Sequence, residues 1–324
     1  MKKKRKLWWM FLLVLVLVLA GVSLFAGNYL VNFAIVRQDT AQDVSPESVV
    51  SEEDQDTIRE NGERIEEKKA AWISSVQQES VQITSEDGLV LKGDIFYAPR
   101  DSHKWLLAVH GYTGRRTDMQ NIACFYGEKG YHVLTPDMRS HGESEGTYIG
   151  MGWLDRLDVL LWIRYILSVD PEAEIILHGV SMGGATVMMV SGEELPEQVK
   201  GIVEDCGYTS VWDIFSDELS YLFHLPDFPF LYTANLVAGY RAGYSFKEAS
   251  AVDQVAKSEV PILFIHGSED NFVHTEMVYE LYEACTAPKD ILVVEGAGHG
   301  EAYRMDPELY FDTVFGFLKK ECGM

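Results

Sequence analysis

The sequence predicts an α/β protein with a mostly parallel sheet, helices on both faces of that sheet, and one preceding membrane-spanning helix. Short, unbroken apolar runs predict strands buried on both faces, and stretches of helical character separate these runs. The third observation is an uncharged apolar run of 20 residues near the N-terminus. At ~1.5 Å per residue, a helix of that length spans a hydrocarbon core of ~30 Å.

The N-terminal apolar run is Leu7–Ala26, and a basic cluster, Lys2–Lys6, precedes it. Basic residues beside an apolar helix favour the cytoplasmic side of a membrane. A cleaved signal peptide is the alternative, since Ser23–Ala26 could serve as a cleavage site, although the apolar part of such peptides is usually only ~7 to 15 residues long. We predict a cytoplasmic tail and signal-anchor over residues 1–36, with the rest of the chain outside the membrane.

Charge and cysteine content limit the partners of the chain. The 324 residues have a formal net charge of −23, and the basic N-terminal cluster leaves the remainder more acidic still. An acidic surface repels polyanions, so we predict no nucleic-acid partner. The cysteines show no Cys-x-x-Cys pair and no ligand spacing with histidine: Cys124, Cys206, Cys285 and Cys322. We expect no metal site, and free thiols rather than a disulfide, although an oxidising compartment would permit one.

The composition divides the chain after the signal-anchor into two parts. Residues 37–80 are polar and acidic, with a possible helix start at Ser45-Pro46-Glu47 and a predicted helix over Glu63–Ser75. We expect a stalk that ends in a helix packed on the domain. Residues 81–324 hold the alternating strands and helices. Within them, residues 208–251 are rich in aromatic side chains and too long for an ordinary connection, which predicts a helical lid over the carboxyl ends of the strands.

The strand predictions begin with an antiparallel hairpin over Val81–Phe96, which alternates about a Glu-Asp-Gly turn. The buried strands that follow are six apolar runs: Trp105–Val109, His132–Thr135, Ile175–His178, Gly201–Glu204, Ile262–Ile265 and Ile291–Val294. An alternative for the aromatic insertion is that it only packs on the core formed by these strands.

Ser181 lies in the sequence Gly179-Val180-Ser181-Met182-Gly183, directly after an apolar strand and at the start of a helix. A serine on such a sharp turn has a strained backbone that exposes its Oγ, and the flanking glycines leave room for the close approach. The amides and the partial positive charge at the start of the helix favour a developing oxyanion. This context makes Ser181 a candidate nucleophile.

A nucleophilic serine needs a histidine to accept its proton and an acid to orient that histidine. Glu269 and Asp270 follow the strand that ends near Ile265, and His299 lies in a glycine-lined loop after the next strand. The adjacent carboxylates cannot both face His299, and the sequence leaves both open as the acid. Other histidines directly precede glycines at strand ends, where an imidazole usually packs or binds loops: His110, His178 and His266.

The oxyanion hole is expected from two backbone amides. In folds with such an elbow, one amide follows the nucleophile and the other comes from the loop after a neighbouring strand. We therefore assign the N–H groups of Met182 and of Tyr112, which follows the strand ending at Val109.

Several motifs together resemble the α/β-hydrolase superfamily, and more narrowly the membrane-anchored bacterial cell-surface hydrolases related to the prolyl oligopeptidase catalytic domain. The motifs are His110-Gly111-Tyr112, Asp137 to Ser144, the Gly179 to Gly183 elbow, His266 to Val273, and Gly298-His299. The resemblance covers about residues 81–318. It implies an eight-stranded sheet, a Ser181–Asp270–His299 triad, and esterase, thioesterase or peptidase chemistry without a metal or another cofactor. It also implies that Asp137, Arg139 and His141 belong to a structural turn.

The sequence thus predicts a membrane-anchored, extracytoplasmic serine hydrolase that acts on an acyl substrate of small size. The aromatic insertion favours an apolar ester or thioester, and the resemblance keeps a peptidase as the alternative. A surface-tethered binding module with a silent triad is the alternative from another class. The oligomeric state, protein partners and natural substrate are not readable from the sequence.

Overall fold

The computed structural model describes residues 2–38, 48–99 and 102–324. In these ranges, eight strands form one sheet in the order β1-β2-β4-β3-β5-β6-β7-β8. The strands are β1 (Gln77–Thr84), β2 (Val90–Tyr97), β3 (Lys104–Val109), β4 (His132–Pro136), β5 (Glu174–Val180), β6 (Val199–Asp205), β7 (Ile262–Gly267) and β8 (Lys289–Val294).

The sheet is mostly parallel, as predicted. β1 and β2 form the antiparallel hairpin, β2 is also antiparallel to β4, and the strands from β4 to β8 in sheet order are parallel. The hairpin begins at Gln77, four residues before the predicted Val81. Because parallel strands end at the same edge, the loops after β3, β5, β6, β7 and β8 meet on one side of the sheet.

Helices cover both faces of the sheet, which confirms the predicted layers. The helices are α1 (Lys2–Ala34), α2 (Glu52–Ser75), α3 (Gln120–Glu128), α4 (Asp155–Val169), α5 (Met182–Val190), α6 (Val211–Phe223), α7 (Asp227–Arg241), α8 (Ala251–Val255), α9 (Glu276–Ala284), α10 (Ala302–Met305) and α11 (Pro307–Glu321).

The central strand β3 explains why its sequence is an unbroken apolar run. Trp105, Leu107 and Val109 belong to the core that contains α4, α5 and α9, whereas Leu106 and Ala108 belong to the core under α3 and α11. Successive side chains of a strand point to opposite faces, so a strand between two helical layers needs apolar residues at every position.

Helix α2 is longer than the sequence suggested. It begins at Glu52, where Ser51 accepts a hydrogen bond from the amide of Asp54, and not at the predicted Glu63. The possible start at Ser45-Pro46-Glu47 lies outside the described residues. The helix packs against α3 and α10, and its Trp72 ring lies 4.9 Å from the Phe96 ring of β2. It is therefore part of the layer on one face of the sheet.

Helix α1 is long and apolar enough to cross a membrane, by length and composition. Its last turns, however, pack against the rest of the protein. Gly27 lies against the backbone of Thr233 in α7, and Val31 and Ile35 are fully buried. The amide of Arg37 then donates to the carbonyl of Thr147 at 2.8 Å. No sequence pattern predicts this contact.

Truncation of Trp72 should show how much the α2 contact contributes to stability. We expect Trp72→Ala to lower the free energy of unfolding by about 3 to 5 kcal/mol, because it leaves a cavity between α2 and the sheet. Chemical unfolding of the full chain in detergent measures this change. Tyr279→Ala, which truncates an aromatic residue that is 50% exposed, is the matched control. Equal effects of the two substitutions would contradict a structural role for α2.

Candidate active site

Ser181 forms the turn between β5 and α5, with φ 57° and ψ −120°. A residue other than glycine adopts a positive φ only where its surroundings fix it. The turn is tight because a Cβ at Gly179 would overlap the Gly183 carbonyl, and a Cβ at Gly183 would overlap the Val109 carbonyl of β3. The two glycines therefore allow β3, β5 and α5 to approach closely enough to present the hydroxyl at the edge of the sheet.

His299 lies between Ser181 and Asp270. Its Nε2 is 2.8 Å from Ser181 Oγ, and its Nδ1 is 2.7 Å from Asp270 Oδ2. The second oxygen of Asp270 accepts hydrogen bonds from the amides of Phe272 and Val273 at 3.0 and 2.9 Å. The structure thus brings together the three side chains that the resemblance implied, and the loops after β5, β7 and β8 position them.

Asp270 is buried, and its environment favours the carboxylate. Burial alone would raise the pKa of Asp270, but the charge of His299 and the hydrogen bonds from His266 and His299 outweigh burial and lower that pKa well below its ordinary value. An ionised carboxylate at this position holds the imidazole in the tautomer that accepts a proton from a hydroxyl. The neighbouring Glu269 lines a separate depression that Ser51 and Asp54 also border.

The other predicted histidines make structural contacts. His110 accepts a hydrogen bond from the amide of Met138 at 3.0 Å, and His266 contacts the carbonyl of Val273 at 2.8 Å. His141 accepts from the amide of Thr113 at 3.2 Å. Burial, together with the nearby His110, lowers the pKa of His141 to about 3, so this imidazole is neutral near pH 7.

His178 belongs to a buried series of hydrogen-bonded polar groups that no sequence pattern predicts. Its ring nitrogens lie 3.0 Å from the hydroxyls of Tyr126 and Tyr310, and the Tyr310 hydroxyl donates to Asp205 at 2.9 Å. The carbonyl of Asp205 accepts from the amide of Ser181 at 2.8 Å. This series of hydrogen bonds therefore supports the Ser181 turn from its buried side. These residues lie on four separate elements, so no local sequence pattern joins them.

Hydrogen bonds and an ion pair hold the loop after β4. Asp137 accepts hydrogen bonds from the amides of Arg116 and Glu143 at 2.8 and 2.9 Å. Arg139 donates twice to Asp158 of α4, at 2.6 and 2.8 Å. These contacts are those of a structural turn beside the site, which is the role that the resemblance implied for this loop.

Tyr112 and Met182 border the space above Ser181. Met182 is the first residue of α5, and the loop of Tyr112 passes so close that a Cβ at Gly111 would lie 3.2 Å from the Ser181 Cβ. The Tyr112 hydroxyl donates to the carbonyl of Ala34 at 2.8 Å. The last turn of α1 is thus hydrogen-bonded to the loop that borders the nucleophile.

The serine opens into an apolar cavity of about 240 Å³. Three sources supply its walls: the end of α1, the two-helix insertion of α6 and α7, and the loops around Ser181. The apolar residues from the first two sources are Leu30, Phe33, Ala34, Ile214, Phe215, Leu219, Leu222, Phe223, Leu231 and Ala234. Such a lining suits a hydrocarbon chain or an aromatic ring.

Glu218 of α6 is the acidic side chain in this apolar wall. Its Oε2 is buried and has no hydrogen-bond partner among the described residues. Burial, together with the negative charge of Asp217, raises the pKa of Glu218 to about 7. No sequence pattern singles out this residue, because an acid in a helical segment usually faces solvent.

Cys206 is buried beside the site, and its sulfur, Asp270 and His299 place three donor atoms within 4.8 Å of one another. Burial raises the pKa of the Cys206 thiol well above its ordinary value, so the sulfur is protonated and not a ready metal ligand. The other two donors are already hydrogen-bonded to each other. This donor set therefore suits an acid–base pair better than a metal ion.

Comparisons with known proteins agree with this geometry. Family models of serine aminopeptidase S33 and serine hydrolase FSH1 match residues 100–213 and 187–299. The Bacillus subtilis protein YqkD is 26% identical over 82% of this chain and 87% of its own length. The esterase Pf2001 of Pyrococcus furiosus superposes with a TM-score of 0.63 at 26% identity, covering 77% of this chain and 94% of the esterase. The chain is a serine hydrolase of the α/β-hydrolase type.

A second solved structure shows the same fold in a larger protein. The acylaminoacyl peptidase of Pyrococcus horikoshii matches the hydrolase with a TM-score of 0.58 at 17% identity, covering 76% of this chain and 42% of the peptidase. Esterases and peptidases thus share the sheet and helix arrangement described above, and the fold alone does not distinguish them.

Glu218 should make the stability of the hydrolase depend on pH. A carboxyl whose pKa rises from 4.5 to about 7 on folding destabilises the folded state as pH increases through that window. We expect the melting temperature of Glu218→Gln to rise relative to the unsubstituted chain between pH 4.5 and 7, with no further relative gain above. Thermal unfolding across pH measures this difference. Glu280→Gln, at an exposed position of α9, is the control; a flat difference for Glu218→Gln would contradict the burial argument.

Proposed function

We propose that the hydrolase cleaves carboxylic esters or thioesters through Ser181, His299 and Asp270, outside the membrane in which α1 anchors it. The observation that carries this proposal is the unbroken path of hydrogen bonds from the buried carboxylate through the imidazole to the hydroxyl. That path ends at a strained serine on the floor of an apolar cavity.

The proposed mechanism follows from these positions. His299 accepts the Ser181 proton as Oγ attacks the acyl carbonyl, and the N–H groups of Tyr112 and Met182 stabilise the oxyanion. His299 then protonates the leaving alcohol or thiol. Water repeats the sequence on the acyl-enzyme, with Asp270 ionised throughout, and releases the carboxylic acid.

The apolar cavity supports an ester substrate, since its walls offer an acyl chain many contacts and few hydrogen bonds for a peptide backbone. A serine peptidase is the second candidate. Glu218 favours it, because a carboxylate in the cavity could pair with the amino group of a peptide. Rates on matched p-nitrophenyl esters and p-nitroanilides separate the two, since a peptidase must cleave the amide at a useful rate.

The contacts of α1 support an anchor that is retained rather than cleaved. The helix continues without interruption past the possible cleavage site at Ser23–Ala26. The carbonyl of Ser23 accepts a hydrogen bond from Thr233, and Leu30 and Phe33 form part of the cavity wall. Cleavage there would remove the Ser23 contact with α7 and leave Leu30 and Phe33 without the helix that precedes them. The basic cluster at its start supports a cytoplasmic N-terminus.

Substitutions of the three polar side chains test the proposed chemistry. We expect Ser181→Ala to lower ester turnover by roughly 10⁶ and Asp270→Asn by roughly 10⁴, because the first removes the nucleophile and the second the tautomer-fixing charge. Glu269→Gln, which neutralises the adjacent carboxylate, is the matched control and should stay within about twofold of full activity. Turnover of p-nitrophenyl butyrate and labelling by a fluorophosphonate probe measure these effects.

The same assay decides between an enzyme and a binding module. A folded chain that neither hydrolyses an ester nor reacts with the probe would contradict the proposal and favour a silent triad. Equal losses for Asp270→Asn and Glu269→Gln would contradict the assignment of the acid.

Membrane anchoring has its own test. We expect the chain to remain in the membrane fraction after extraction at alkaline pH, with the N-terminus intact by mass spectrometry and the catalytic body digested when protease is added to intact spheroplasts. The physical reason is that the uncharged run of α1 spans the hydrocarbon core. A mature chain that begins after Ala26, or a body protected from protease, would contradict this topology.

A further inference from the structure

Helix α7 exposes an apolar stripe, defined here as Phe228, Tyr232, Leu236 and Tyr240. These residues recur at every fourth position and are 74, 44, 67 and 92% exposed. Phe228 lies at a kink near the start of the helix, with φ −90° and ψ 127°. The opposite side of α7 is buried against α1 and the core through Leu231, Ala234 and Ala238. Scattered exposed apolar residues are ordinary, but a continuous row along one helix indicates a surface that contacts something apolar.

The contacts between α1 and α7 fix the level of this stripe relative to the apolar run. The hydroxyl of Thr233 donates to the carbonyl of Ser23 at 2.9 Å, and Arg241 donates to the side chains of Asn28 and Asn32 at 2.7 and 2.8 Å. The two helices therefore run in the same direction. The backbone of Thr233 lies against Gly27, the first residue after the apolar run.

The helical rise of about 1.5 Å per residue gives the depth of each α7 residue relative to the outer end of the apolar run at Ala26. The backbone of Thr233 contacts Gly27, so Thr233 and Tyr232 lie at about the boundary of the hydrocarbon core, and Phe228 lies within that core. Leu236 lies about 5 Å beyond the boundary, within a headgroup layer that is about 5 to 7 Å thick, and Tyr240 lies about 11 Å beyond it. Aromatic residues are enriched at the interface, as Tyr232 is placed here. The stripe thus extends from the outer edge of the hydrocarbon core that α1 spans through the headgroup layer.

The catalytic cavity lies between the same two helices and the sheet. Leu30, Phe33 and Ala34 of α1 and Leu231 and Ala234 of α7 border the cavity that contains Ser181. Because Leu30, Phe33 and Ala34 follow the apolar run on the same helix, the wall of the cavity begins shortly beyond the outer end of that run. A water-soluble substrate would gain less from so many apolar side chains in the cavity wall.

We propose that the apolar stripe of α7 lies in the outer leaflet, and that Ser181 hydrolyses acyl esters of membrane amphiphiles drawn from that leaflet into the cavity. This inference rests on the proposed function and names its substrate class. In the reaction, Ser181 Oγ bonds to the acyl carbon and the bond to the alcohol oxygen breaks. The alcohol leaves with the proton from His299, and water then releases the fatty acid and restores the serine.

The position of the stripe is tested without reference to activity. An environment-sensitive fluorophore is attached to Leu236→Cys in the full chain carrying Cys322→Ser, because the other three native cysteines are buried. Leu309→Cys on α11, at another partly exposed leucine, is the matched control. After reconstitution in phosphatidylcholine vesicles, we expect lipids with a spin label near the headgroup to quench the label at position 236 and not that at 309. Equal quenching at both positions would overturn the proposal.

The substrate class is tested with Phe228→Asp combined with Leu236→Asp, and with Leu309→Asp as the matched control. Neither substituted position borders the cavity. In vesicles, we expect the double variant to lose about tenfold of its rate on a long-chain monoacylglycerol in the bilayer and to keep its rate on p-nitrophenyl acetate, since charge expels the stripe from the leaflet. The control variant should keep both rates. Loss of neither rate by the double variant would overturn the proposal.

Retention of the acetate rate shows that the double variant is folded. A second copy of the chain is the other possible occupant of the stripe, and light scattering in detergent detects it. A dimer that Leu236→Asp dissociates would overturn the membrane assignment. If the proposed function is wrong, the unsubstituted chain hydrolyses neither ester. The quenching pattern still reports the position of the stripe in that case, so the two failures are distinguishable.

Discussion

The backbone of Ser181 is held in a conformation that its own residue type disfavours, and most of the architecture contributes to holding it there. β3 and α5 approach the turn closely enough that only glycine fits at positions 179 and 183. The amide of Ser181 is bound by Asp205 of β6, and its carbonyl accepts the first hydrogen bond of α5 from Ala185. Strain of this kind persists only where neighbouring elements over-determine it, and here the central parallel strands supply that constraint.

Helix α1 extends this constraint from the sheet to the N-terminus. Its last turn binds the hydroxyl of Tyr112, whose loop approaches Ser181, and Arg37 donates to the carbonyls of Gly142 and Ser144 in the structural turn. The end of α1 is therefore also a wall of the cavity above Ser181. The positions of α1 and of Ser181 are consequently linked through a few hydrogen bonds.

The sequence predicted best those features that local pattern encodes. The run Trp105–Val109 predicted β3 because two helical layers require apolar residues on both of its faces. Ser181 was predicted because its turn needs glycines at fixed offsets. The choice between Glu269 and Asp270 could not be made from the residues alone, since it depends on which way a loop turns after β7. The structure orients Asp270 towards His299.

Contacts between distant segments were beyond such prediction. The register of Gly27 on Thr233 depends on tertiary packing, and nothing in the composition of either helix specifies it. The start of α2 was placed too late because residues 52–62 are so polar that their few apolar positions, such as Ile58, gave little helical periodicity. The insertion was recognised by its aromatic content, but only the register with α1 distinguishes its buried side from its exposed stripe.

The ionisation of the buried acids shows how the site concentrates its charge. Burial raises the pKa of Glu204 to about 8 and that of Asp205 to about 6. The hydrogen bond from Tyr310 offsets only part of the increase for Asp205. The pKa of Asp270 is lowered instead, because two histidines face it. Acids at the ends of adjacent strands β6 and β7 thus have opposite shifts. The negative charge is placed against His299, where it would stabilise the imidazolium that the proposed proton transfer creates, and is disfavoured on Glu204 and Asp205.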